Sequence, residues 1–307
     1  MTLINSNFDF LNKPWWGLDY DDRDVHYFLS DTKRLQRAIS SVVKSENELF
    51  RKGYIDLHRE RYLIECISAE SNIELTVKHV QQLLKGSWFR TFLDYFCRIF
   101  CGRHSHYSHL AKKVQNLHNA ICKTFPSIFF LNLSIDNFTP LLAQQLHQQI
   151  GNGLIENAGQ YRTQYVMAAQ ENYIYLAPDL IKDKMNKVFH QCQEKFRRED
   201  LQLEDAIKFG ACFLTHFLYI HPFKNGNGRV ARLLLSYLLS KFTVVPLSLY
   251  TGAKTRDVYL QCLRESRYRD PFTPNALATF ILENIHLTSY NICAVMDIYV
   301  QNDTSME

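Results

Sequence analysis

Residues 221–232 read HPFKNGNGRVAR, and they follow a run, residues 202–220, that becomes apolar on every side. A second apolar run, residues 230–241, begins where the stretch ends. Runs of this length and composition predict two buried helices, and a helix that is apolar all round predicts the centre of a core. The stretch is therefore predicted to form a loop between two core helices.

The residues of this loop favour an anion. Two glycines flank Asn227, and Arg229 and Arg232 follow at helical spacing. The backbone N–H groups of such a loop, with the N-terminus of the next helix, form a ready anion site. Arginine is unfavourable at a helix N-terminus unless an anion lies there, and its planar guanidinium group suits phosphate. His221, at the end of the buried helix, is placed to act as a general base beside bound phosphates.

The stretch resembles the signature of Fic domains, His-x-Phe-x-Asp/Glu-Gly-Asn-Gly-Arg-x-x-Arg. Its fixed positions match, except that Asn225 stands where the family has Asp or Glu. The likeness extends more loosely over residues 60–290, and residues 159–176 resemble the target-docking flap and the segment before it. The resemblance implies an all-α Fic fold, a helical bundle around a central buried helix with one small β-hairpin flap.

The resemblance implies a protein adenylyltransferase, which moves AMP from ATP to a Ser, Thr or Tyr hydroxyl of a target protein. His221 is then the general base, and Phe223 anchors the loop in the core. The residues implied to bind the nucleotide and its phosphates are Lys224, Gly226, Asn227, Gly228, Arg229, Arg232 and Tyr259. The alternative for Tyr259, implied to face the adenine, is plain core packing. The flap residues implied to align the target by strand addition are Tyr165, Val166 and Met167.

Asn225 bears on the cofactor. The resemblance implies Mg²⁺ or Mn²⁺, held by the acid of the signature, and Mg²⁺ prefers charged oxygen ligands. Asn225 offers an uncharged amide oxygen, and Lys224 adds positive charge, so we expect weakened metal binding and slower AMP transfer. The alternatives are a catalytically weak or inactive Fic-like protein that acts by binding, an enzyme that removes AMP, and one that transfers phosphate or phosphocholine.

Residues 71–76, SNIELT, resemble the inhibitory helix that many Fic proteins carry before the core. The resemblance implies that Glu74 pairs with Arg232 and blocks productive seating of the γ-phosphate, which predicts autoinhibition. Glu70 and Leu75 depart from the family's pattern. The alternative for Glu74 is a surface position on an amphipathic helix.

The 307 residues are predicted to form a helical N-terminal region, 1–110, with the inhibitory helix at about 62–76, a Fic core, 111–295, and a C-terminal tail, 296–307. The net charge of +4, from 35 basic and 31 acidic residues, predicts no nucleic acid partner. No signal-peptide pattern or membrane-length apolar run is evident, so we expect no membrane partner and a cytoplasmic or nuclear location. The resemblance also allows a homodimer.

Overall fold

The computed structural model of the chain is built mainly from helices. It describes residues 4–17, 23–45, 58–67, 75–85, 104–126, 131–168, 173–249, 253–268 and 273–298. The helices are α1 (Val25–Ser45), α2 (58–67), α3 (Val77–Lys85), α4 (His104–Thr124), α5 (Pro140–Gly151), α6 (Ile181–Phe196), α7 (Leu203–Ile220), α8 (Asn227–Leu238), α9 (Ala253–Tyr268) and α10 (Asn275–Val295). The predicted all-α class is confirmed. Within the described ranges, no helix combines the length and apolarity needed to cross a membrane.

Helix α7 is the centre of the core. All of its residues are buried except Glu204, Asp205 and Tyr219. It packs against α6, α8, α9 and α10. Because its apolar side chains face neighbours on every side, the predicted central buried helix is confirmed.

Helix α8 begins earlier than the apolar pattern predicts. It runs from Asn227 to Leu238, whereas the sequence predicted a helix over 230–241. Gly226 lies in the left-handed region, with φ 79°, and the helix starts directly after it. The N-terminus of α8 therefore lies inside the 221–232 stretch rather than after it.

At the position of the predicted hairpin, the described residues show an isolated bridge and no regular strands, so the hairpin itself stays a prediction. Met167 and Ile174 form an isolated antiparallel bridge, and the N–H of Tyr175 donates to the carbonyl of Val166 at 3.2 Å. Residues 169–172 lie outside the described residues. The described parts of the two segments pair without forming regular strands, as expected for a lone two-stranded ribbon, which is only marginally stable.

Helix α1 lies against α10, and Val25, Phe28 and Leu29 near its start pack on the main core. A second apolar cluster joins the two helices and the segment before α9, and its members are Leu35, Ile39, Val43, Val244, Val245, Ile292 and Cys293. The buried side chains of Asp31 and His286 add a polar contact of 2.8 Å between the two helices. The N-terminal part of the chain is thus attached to the last helix.

The predicted division at residue 110 falls inside α4. Tyr62 and Leu63 of α2 belong to the same apolar cluster as Phe213 and Phe217 of α7. The two sides of the division share one core, and the division itself stays a prediction. In the predicted tail, residues 299–307 lie outside the described residues.

Candidate active site

His221 ends α7 in a left-handed conformation, with φ 47° and ψ 60°. Its N–H still donates to the carbonyl of Phe217 at 3.0 Å. Residues other than glycine rarely adopt this region, and such residues concentrate at functional sites. The imidazole is half-buried and stacks on Tyr175, with ring centroids 3.8 Å apart and planes 19° apart. The ring is therefore held where α7 meets the flap.

Asn227 closes the loop onto itself. Its Oδ1 accepts a hydrogen bond from the N–H of Phe223 at 3.0 Å, and its Nδ2 donates to the carbonyl of Phe223 at 2.8 Å. Phe223 is fully buried, so it anchors the loop in the core as expected. The side chain of Asn227 is used to shape the loop, and a phosphate contact by this residue would use its backbone N–H.

Gly226 places the N-terminus of α8 at the loop. A Cβ atom on this residue would lie 3.3 Å from Nη2 of Arg229 and 3.4 Å from Cδ1 of Ile155, and its φ is positive. Both the crowding and the backbone conformation require glycine. No side chain caps this helix, and Gly228 lies half-exposed in its first turn. The positive end of the helix dipole thus faces the loop, which suits an anion.

His147 connects α5 to the loop. Its ring lies parallel to Phe223, with centroids 3.9 Å apart, and its Nε2 lies 2.9 Å from the carbonyl oxygen of Asn225. Its Nδ1 accepts from the N–H of Gly159 at 2.8 Å, so the proton is on Nε2, which donates to Asn225. Burial lowers the pKa of His147 to about 4, against the effect of the bond to Asn225, and the charge of Arg229 lowers it further. The imidazole is neutral and supports the loop.

Arg162 joins the flap to the end of α7. Its guanidinium group donates to the carbonyl oxygens of His221 at 2.8 Å and Ile220 at 3.2 Å. It also donates to the carbonyls of Gln164, at 2.7 Å, and Leu176, which lie on the two sides of the flap. The side chain is 6% exposed, and burial lowers its pKa. One buried cation therefore holds the backbone of His221 and both sides of the flap together.

The two arginines of α8 are buried, with Arg229 5% and Arg232 4% exposed. Nη2 of Arg232 donates to the carbonyl of Cys66 in α2 at 2.9 Å. The hydroxyl groups of Tyr62 and Ser236 lie 2.8 Å apart and make a second contact between α2 and α8. Helix α2 is thus docked on the helix that carries the predicted phosphate-binding arginines.

Glu65 fastens the other side of α2. Its carboxylate accepts hydrogen bonds from the hydroxyl of Ser248 and the N–H of Leu249, and the side chain is buried. Glu74, the predicted inhibitory residue, lies outside the described residues, so its pairing with Arg232 stays a prediction.

The donor groups beside the loop do not fit a divalent cation. Oδ1 of Asn225 accepts from the N–H of Gly226 at 2.7 Å, and its carbonyl oxygen accepts from His147. The Nζ of Lys224 lies 3.6 Å from the carboxylate of Glu156, and both side chains are exposed. Mg²⁺ needs hard, preferably charged oxygen ligands. In the part of the chain that the structure describes, no three His, Cys, Asp or Glu side chains group as a metal site.

The remaining predicted site residues lie on the flap and α9. Tyr165 and Met167 are 69% and 60% exposed, and Val166 between them is half-buried. Tyr259 is 3% exposed, and its ring centroid lies 6.2 Å from that of Phe280. The structure brings Tyr259 into the core, and its contact with adenine stays a prediction.

Sequence reasoning assigned no role to three residues that position this site, His147, Arg162 and Glu65. The signal for His147 is a polar side chain among apolar residues at helical spacing, Ala143 and Ile150. The contacts of Arg162 with the end of α7 span 58 and 59 residues and those of Glu65 with residues 248–249 span 183 and 184, so no local pattern marks these contacts.

A model of the Fic/DOC family matches residues 137–239. The chain is 30% identical over 152 residues to a Fido domain-containing protein of Dictyostelium discoideum, across 48% of this chain and 99% of that protein. It is 27% identical over 127 residues to the protein adenylyltransferase Fic of Nematostella vectensis, across 41% of this chain and 28% of that protein. A 109-residue stretch is 28% identical to the ribonucleoside-diphosphate reductase small chain of Ostreid herpesvirus 1.

The match to the viral protein covers 33% of this chain and 19% of that protein. The chain thus spans less than a third of the length of the viral relative and of the Nematostella relative. Fic-1 of C. elegans, solved for residues 134–508, has a TM-score of 0.65 and 16% identity, over 89% of this chain and 72% of that one. At this identity the likeness shows the Fic fold alone. The Dictyostelium relative, matched over nearly its whole length, and the family model together show that the chain belongs to the Fic/DOC family.

Proposed function

We propose that the chain transfers AMP from ATP to a hydroxyl side chain of a target protein. The observation that carries this proposal is the imidazole of His221, stacked on Tyr175 directly before a loop that opens into the uncapped N-terminus of α8. This arrangement supports a general base next to a site for the phosphates. A relative named as a protein adenylyltransferase, that of Nematostella vectensis, supports the same reaction.

In the proposed reaction, His221 takes the proton of the target hydroxyl, whose oxygen attacks the α-phosphorus of ATP. The bond from that phosphorus to the oxygen bridging the β-phosphate breaks, and pyrophosphate leaves with the electron pair. The backbone N–H groups of residues 227 and 228, with Arg229 and Arg232, stabilise the charge that develops on the phosphates. His147 and Arg162 are positioning residues, because they contact the backbone of residues 225 and 221.

The flap offers the surface for the target chain. Tyr165, Met167 and Ile174, between 60% and 69% exposed, form an apolar outer face, and Met167 lies opposite Ile174 in the bridge. An extended peptide added to this pair would form backbone hydrogen bonds beside His221. This supports a target segment that is extended at its acceptor hydroxyl.

Autoinhibition by Glu74 is part of the proposal. The carbonyl of Cys66 already contacts Arg232, and Glu74 follows α2 along the chain. A carboxylate delivered by this segment would compete with the phosphates for Arg232. While the carboxylate of Glu74 pairs with Arg232, the guanidinium group would not be available to the phosphates.

A second candidate function is nucleotide binding with little or no transfer. Asn225 favours it, because its amide oxygen is occupied by the N–H of Gly226 and adds no negative charge for a metal. Such a protein would act through the conformation that it adopts with nucleotide bound.

The test is the identity of the transferred group. The Glu74→Gly chain is incubated, with metal and without, with ATP labelled on either its α- or its γ-phosphorus, and its own hydroxyl groups and a cell extract serve as acceptors. The proposal predicts label in protein from the α-position only. Label from the γ-position would indicate phosphate transfer, and no label from either, with ATP still bound, would favour the second candidate.

A further inference from the structure

We propose that this site binds ATP without a divalent cation, and that the ammonium group of Lys224 takes the place of the metal on the phosphates. The inference rests on the proposed function for the location of the nucleotide. It goes further by assigning the form of the ligand, which is metal-free ATP.

The two oxygen atoms of Asn225 already accept hydrogen bonds from the protein. Its Oδ1 accepts from the N–H of Gly226 at 2.7 Å, and its carbonyl oxygen accepts from Nε2 of His147 at 2.9 Å. Both oxygens of the residue at the signature's acidic position are therefore engaged within the protein. Neither carries the charge that a hard cation prefers.

The charged groups of the loop also favour the free nucleotide. Lys224, Arg229 and Arg232 supply three cationic side chains within the signature stretch. Glu156 lies 3.6 Å from Nζ of Lys224, but both side chains are largely exposed, at 78% and 65%. Exposed pairs of this kind contribute little, so Lys224 can leave Glu156 for a phosphate at small cost.

The charge of the nucleotide itself matches this site. Metal-free ATP carries more negative charge than its Mg²⁺ complex, and this site offers cations and helix N–H groups in place of a carboxylate. A bound Mg²⁺ would cancel charge on the phosphates and add repulsion with Lys224. The free nucleotide is therefore the better electrostatic match.

The experiment measures the dissociation constant of ATP for the full chain by titration calorimetry, in excess EDTA and in excess Mg²⁺. We expect the wild-type constant in EDTA to be equal to or lower than that in Mg²⁺. Lys224→Met should weaken binding in EDTA by about tenfold, the value of one charge-assisted hydrogen bond. Asn225→Asp should reverse the preference, with binding at least about tenfold tighter in Mg²⁺ than in EDTA. Lys182→Met, on an exposed position of α6, is the matched control and should change neither constant.

Wild-type binding that needs Mg²⁺ would overturn the inference. If Glu156→Gln then removed that need, Glu156 would be the metal ligand. If wild-type binding is undetectable, the same titrations are made with Glu74→Gly, and failure there too would overturn both the inference and the proposed nucleotide site. Binding in EDTA without any AMP transfer would leave the inference standing and contradict the proposed function.

Discussion

Asn227 and His147 show how single side chains shape the loop between α7 and α8. Each uses both of its polar ends on backbone groups: Asn227 on Phe223, and His147 on Asn225 and Gly159. A buried backbone group that loses its partner is costly, because it has also lost its contact with water. The two side chains therefore determine the path of the backbone between α7 and α8.

Asn227→Ala should lower the free energy of unfolding by about 1–3 kcal/mol, because it leaves the buried N–H and carbonyl of Phe223 without their partner. Urea unfolding at neutral pH measures the change. Asn225→Ala is the matched control, since this exposed residue bonds only its neighbour Gly226 through its side chain and should cost less than about 1 kcal/mol. If both variants lose the same free energy of unfolding, the two hydrogen bonds between Asn227 and Phe223 do not stabilise the loop.

At the scale of elements, two buried charged side chains join separate parts of the molecule next to the candidate site. Arg162 ties the flap to the end of α7, and Glu65 ties α2 to the segment 248–249. Both side chains are buried; Arg162 donates to backbone carbonyls, and Glu65 accepts from one backbone N–H and one hydroxyl group. Each attachment therefore positions a whole element.

Arg162→Met should reduce AMP transfer by at least about tenfold and leave the dissociation constant of ATP unchanged. The reason is that the flap and the backbone of His221 lose their common donor, while the N-terminus of α8 keeps its place. Initial rates of label transfer and calorimetry measure the two quantities. Arg198→Met, at an exposed arginine paired with Asp200, is the control. A parallel loss of ATP binding would show a general structural role.

Glu65→Ala should loosen α2. We expect amide exchange in residues 58–67 to become at least about fivefold faster, because the N–H of Leu249 and the hydroxyl of Ser248 lose a charge-assisted partner. Glu60→Ala is the control, because it removes another carboxylate of α2, one that accepts a hydrogen bond from the side chain of Gln81 in α3. If Glu74 restrains the enzyme, Glu65→Ala should also raise AMP transfer, whereas unchanged exchange in both variants would contradict the attachment.

At the scale of the whole molecule, two buried histidines make the free energy of unfolding depend on pH. Burial lowers the pKa of His58 in α2 and of His147 in α5 to about 4 each, compared with an unfolded value of about 6.5. Between these values the unfolded chain binds protons that the folded chain does not. The folded state is therefore fully favoured above about pH 6.5 and loses stability as the pH falls towards about 4.

The free energy of unfolding should thus decrease by up to about 1.4 kcal/mol per pH unit for each histidine over this range. Urea unfolding at about pH 7 and about pH 5 measures it. The difference between the two conditions should shrink in His147→Gln and stay the same in His190→Gln, because His190 is 67% exposed. A difference that His147→Gln leaves intact would show that His147 takes up its proton at an ordinary pH.

Local patterns explain why some of this molecule is predictable from sequence. The apolarity within residues 202–220 identifies α7, and the glycines and arginines after His221 predict an anion site, since both signals lie within a short stretch of the chain. The start of α8 at Asn227 was missed because glycine and asparagine usually indicate a loop. The contact of His147 with Asn225 spans 78 residues, and that of Glu65 with Leu249 spans 184. Such pairs are decided by packing of distant elements, which no local pattern reports.

The measurement that tests the account most directly compares two histidines of the same region in the Glu74→Gly background. Intact mass spectrometry follows the addition of AMP to protein, and calorimetry follows ATP binding. We predict that His221→Ala lowers transfer by at least about 100-fold with ATP binding retained. We predict that His216→Gln, at a buried histidine whose Nδ1 contacts the carbonyl of Cys212 on α7, keeps transfer. Transfer that persists without His221 would contradict its assignment as the general base.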